Sequence, residues 1–83
     1  MAYIIDKKAT EMQKRCTNEA IKVVTDLDIP VSKNIEFILM NSNSFCGHCR
    51  ELPDNTFLIR LNLNIVDKYE LTCAAIHEML HTI

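Results

Sequence analysis

From Ile5 the apolar residues recur at Ile5, Ala9, Met12, Cys16, Ala20, Val23, Val24 and Leu27, with Lys, Gln, Arg and Glu between them. Steps of three and four put these positions on one face of a helix. Asp6 is a candidate cap, and Asp26, Asp28 and Pro30 close the segment. The spacing therefore predicts a helix over residues 6–27.

The pattern then changes. Ile35–Met40 is short, branched and aromatic, which reads as a strand. After the polar NSNS, the segment FCGHCREL predicts a second strand, broken or bulged at Gly47. Leu52-Pro53-Asp54-Asn55 suits a tight turn, with proline fixing φ at its second position. Beyond it Phe57, Ile59, Leu61, Leu63 and Ile65 alternate with Leu58, Arg60, Asn62 and Asn64, the clearest period-two stretch in the chain. Asp67 to Glu70 opens a last helix from Lys68, with Thr72, Ile76, Met79, Leu80 and Ile83 as its expected core side. The expected fold is α+β: an N-terminal helix, a three-stranded antiparallel meander, and a C-terminal helix packed on the sheet.

Composition narrows the class. Residues 1–83 are expected to form a single domain with a thin core, since a chain of this size buries only about 60–65% of its unfolded surface. One glycine and two prolines argue against disorder. The net charge is −2 with the basic residues spread out, so no nucleic-acid patch is evident. No apolar run approaches the ~20 residues of a membrane span, and the start lacks a secretory signal. The expectation is a cytoplasmic protein whose four cysteines, Cys16, Cys46, Cys49 and Cys73, are reduced.

The last helix carries HEMLH, from His77 to His81. This is H-E-x-x-H, the helix signature of zinc peptidases. Side chains at i and i+4 share a helix face about 6 Å apart, so both imidazoles can reach one zinc ion at ~2.0–2.1 Å. Glu78 is the candidate general base for a zinc-activated water that attacks an amide carbonyl. The helix setting, the small apolar Ala74-Ala75-Ile76 before the motif and the regular strand upstream favour this over a chance match.

The segments FCGHCREL and FLIRLNLNIVDKYELTCAAIHEMLHTI together resemble the SprT-like family of zinc metallopeptidases. Gly47, Cys49 and Arg50 match a G-x-C-R-like segment, Ile59-Arg60-Leu61-Asn62 a strand motif, and His77 to His81 the metal helix. The resemblance covers about residues 34–83. It implies that His77 and His81 bind Zn2+, that Glu78 is catalytic, and that the complete protein acts on a protein or peptide substrate. It also implies a third zinc ligand after the metal helix. The sequence stops two residues past His81, so an incomplete, inactive site is expected, with zinc held weakly or through ligands borrowed by self-association. Family members that act on DNA-bound proteins find no support here in a basic patch.

His48 and Cys73 are the remaining candidate ligands. Cys73, His77 and His81 span about 12 Å of helix, too far to meet at one ion, and His48 lies near a loop. A buried thiol and a solvated histidine are the plainer readings. Cys46-Gly47-His48-Cys49 also spells the CGHC string of disulfide isomerases, which makes a thiol-disulfide redox protein one alternative. That chemistry needs a helix after the pair, and a turn and strand are expected instead. The other alternative is a non-catalytic binding or structural domain retaining the scaffold.

Overall fold

The computed structural model describes residues 2–40, 47–62 and 67–83. Strand β1 (Ala2–Ile5) leads into helix α1 (Glu11–Asp26) and strand β2 (Asn34–Met40). Strands β3 (Gly47–Glu51) and β4 (Phe57–Asn62) follow, then helix α2 (Lys68–Leu80). The class is α+β, as the pattern predicts. No helix among the described residues is long and apolar enough to cross a membrane.

The sheet departs from a three-stranded antiparallel meander. Among the described residues it has four strands, in the order β1-β2-β4-β3. β1 runs parallel to β2 and β2 parallel to β4, and only β3 and β4 pair antiparallel. Burial decides this order. β4 carries buried residues on both of its faces (Leu58 and Asn62 on one, Ile59 and Leu61 on the other), which suits an interior strand. β3 carries His48, Arg50 and Glu51 exposed, and short charged strands belong at an edge. β4 therefore inserts between its two predecessors. β3 runs in unbroken register from Gly47 opposite Leu61 to Glu51 opposite Phe57, so the described strand has no bulge at Gly47. The turn falls as expected, with Asn55 N–H donating to Leu52 O at 3.1 Å and Asn55 at φ 66°. The expected strand positions Leu63 and Ile65 lie outside the described residues, as do NSNS, Phe45 and Cys46.

α1 begins five residues later than the periodicity suggests. Ile5 belongs to β1, and Asp6 N–H donates to Phe37 O, tying that strand's end to β2. The cap is Thr10, whose hydroxyl accepts from Gln13 N–H while the Gln13 side chain accepts from Thr10 N–H. This reciprocal box explains why a glutamine is buried. Thr10→Ala is expected to cost about 1 kcal/mol. In a domain of this size that is a fall of roughly 4–8 °C in melting temperature, read by circular dichroism. At the other end Asp28 adopts φ 54° and Ile29 N–H reaches Val24 O, closing the helix one turn before Pro30.

The core forms where both helices meet one sheet face. Cys16, Ala20 and Val24 of α1 and Leu71, Ala75 and Met79 of α2 pack on Ile35 and Phe37 of β2 and Ile59 and Leu61 of β4. Ala20 and Ala75 are wholly buried, and their small side chains let the helices approach closely. Thr82 fastens the end of α2, its hydroxyl accepting from Ser32 N–H at 2.8 Å and donating to Met79 O at 2.7 Å.

Candidate metal centre on helix α2

Helix α2 starts at Asp67, whose carboxylate accepts from the N–H groups of Tyr69 and Glu70. Its rotation is set by Leu71, Ala75 and Met79, one turn apart and buried. This is not the face that the larger apolar residues suggest. Of the expected core side Met79 is wholly buried and Ile76 packs half-buried against the core, whereas Thr72 is half-buried and Leu80 and Ile83 are exposed. The core therefore takes the small Ala75 and the face about one residue away from the expected one. Glu78 comes with it, and only 7% of the residue is accessible.

His77 and His81 stay at the exposed margin with their rings converging. The ring centroids are 4.9 Å apart at an interplanar angle of 83°, and the two Nε2 atoms are 3.2 Å apart. The pair and Glu78 line an open cavity of about 590 Å³. Its other wall is mainly β3, contributing Gly47, Cys49 and Glu51, with Phe57 at the start of β4. The strand along the cleft is thus the edge strand β3, rather than the regular strand β4 that the sequence singles out.

The remaining candidates separate. His48 lines the same cavity from β3. Cys73 is exposed and lines a different groove, between α1 and α2, together with Cys16 and Val23. Among the described residues no group of three His, Cys, Asp or Glu side chains is placed to hold a metal ion. Cys49 is a free thiol whose pKa is raised, first by burial and then by the negative charge of Glu78. Cys46 lies outside the described residues. Gly47 to Glu51 form a strand, so the helix that a CGHC redox site needs does not follow there.

Sequence reasoning missed the part played by Glu51 and Phe57 as cavity wall, and the contact between Gly47 and Glu78. The one available signal was the position of the chain's single glycine inside a strand. Comparison with protein-family models, curated proteins and solved structures gives no match to any of them.

Proposed function

We propose that this domain is a zinc-dependent metallopeptidase core of SprT-like type, with His77 and His81 as metal ligands and Glu78 as general base. The observation that carries the reading is the 3.2 Å separation of the two Nε2 atoms. Two nitrogens at ~2.0–2.1 Å from a tetrahedral zinc are about 3.3 Å apart, so the pair is set at the spacing the ion needs. When bound, the metal would act as a Lewis acid that activates water and polarises an amide carbonyl. Glu78, beside the pair in the same cavity, would take the proton of the attacking water and deliver it to the departing amine. The edge strand β3 and Phe57 would form the wall against which a peptide lies.

The same 3.2 Å contact also fits a hydrogen bond between two neutral imidazoles, one donating and one accepting. That favours a second reading, a metal-free binding or structural domain. Zinc titration followed by calorimetry separates them. Two imidazoles fill two of four positions, so affinity should fall well short of the ~10–16 kcal/mol of complete structural sites. The 83-residue chain is expected to bind one zinc ion weakly, and His77→Ala or His81→Ala to abolish that binding. Binding that survives both substitutions would rule out the pair as ligands. No binding by the unmodified chain would favour the metal-free domain.

A further inference from the structure

We infer that Gly47 is a positioning residue for the Glu78 carboxylate, an inference that rests on the reading of Glu78 as general base. A Cβ built on Gly47 would lie 2.9 Å from Glu78 Cγ, 3.1 Å from Oε2 and 3.3 Å from Cδ. Carbon atoms in favourable contact sit at about 3.5–4.0 Å, so any side chain at position 47 overlaps Glu78. All three of these near atoms belong to that one side chain.

Backbone conformation does not call for the glycine. Gly47 has no positive φ, and it pairs in regular register with Leu61. What glycine supplies is space. Leu61, directly opposite, is fully buried, so β3 is held at this point by the interior strand. Ala75 and Met79 hold the helix backbone in the core, so Glu78 gives way by turning its side chain toward the open cavity that it lines. A methyl group at position 47 therefore turns the carboxylate out of its slot between α2 and the edge strand. A general base displaced by about 1 Å can lose on the order of 10²-fold in rate.

The test is a double-mutant cycle read by thermal melting, with no metal required. Gly47→Ala should lower the melting temperature by roughly 5–15 °C, as overpacking does in a domain of this size. In a Glu78→Ala background the same substitution should cost less than about a third of that, because the overlapping side chain is gone. An equal loss in both backgrounds, or no loss in either, would overturn the inference.

In zinc-loaded protein with a complete ligand set, Gly47→Ala should lower kcat about 10²-fold while KM and zinc affinity stay within about twofold. A raised KM with unchanged kcat would also overturn it. If the unsubstituted protein cleaves no peptide, the general-base reading fails alone. The melting cycle then still decides whether Gly47 sets the place of Glu78.

Discussion

Glu78→Gln is expected to abolish peptide hydrolysis while leaving zinc binding and stability unchanged. This outcome follows from the proposed role of Glu78 as general base and is measured with zinc supplied. The amide has almost the volume of the carboxylate, so it fills the slot beside Gly47 without new overlap. It cannot accept a proton at neutral pH. General base catalysis contributes about 10²–10⁴-fold, and loss of that order should appear in kcat with KM little altered. His77 and His81 are exposed at the helix margin and keep their spacing whatever occupies position 78. Zinc affinity measured by calorimetry should therefore match the unsubstituted protein within about twofold. A variant that still cleaves a casein-type substrate at a tenth of the original rate or better would remove Glu78 from the mechanism.

The histidine pair was legible because its geometry is local. Residues four apart on a helix face each other whatever the tertiary fold does, and the motif needed only the helix around it. Helix α1 and strand β4 were legible for a related reason, since each carries its own period, whereas β2 showed in its run of branched and aromatic residues and β3 in its place before the Leu52–Asn55 turn. β1 was not. Four residues, Ala2–Ile5, are too few to show alternation, and Ile5 continues the spacing of α1 so well that it reads as helix.

Strand order lay beyond the periodicity. Alternation says which side chains share a face, but not which strand sits beside which. Part of the information was present in another form: Phe57–Asn62 puts apolar residues on both faces, Leu58 as well as Phe57, Ile59 and Leu61, whereas Gly47–Glu51 is the most polar strand, which separates interior from edge. The rotation of α2 failed for a different reason. Ranking residues by size favours Ile76, Leu80 and Ile83, whereas close approach of α1 selects Ala75. Glu78 moves to the buried side as a result. Its contact with Gly47 joins residues far apart in the chain and depends on β3 lying at the edge beside α2.

Phe37→Ala is expected to remove most of the stability of the domain. Phe37 is 1% exposed, on β2, with Ile5 of β1 and Ile59 of β4 as its register partners. It belongs to the cluster that joins Cys16, Ala20 and Val24 of α1 to Leu71, Ala75 and Met79 of α2. Truncating a buried phenylalanine costs about 3–5 kcal/mol, because the cavity cannot fully close. A domain of this length has only about 4–12 kcal/mol in total. With a urea dependence near ~1 kcal/mol per molar for so small a chain, the unfolding midpoint should drop by about 3 M or vanish. Leu27→Ala is the control, since Leu27 is 67% exposed and its loss should stay within about 0.5 kcal/mol. His77→Ala should resemble the control, because the candidate metal centre lies outside the core that Phe37 holds together. A Phe37→Ala midpoint within about 0.5 M of the original would mean that the sheet and helices do not share one core. The placement of α2, and of the histidine pair it carries, would then lose its structural basis.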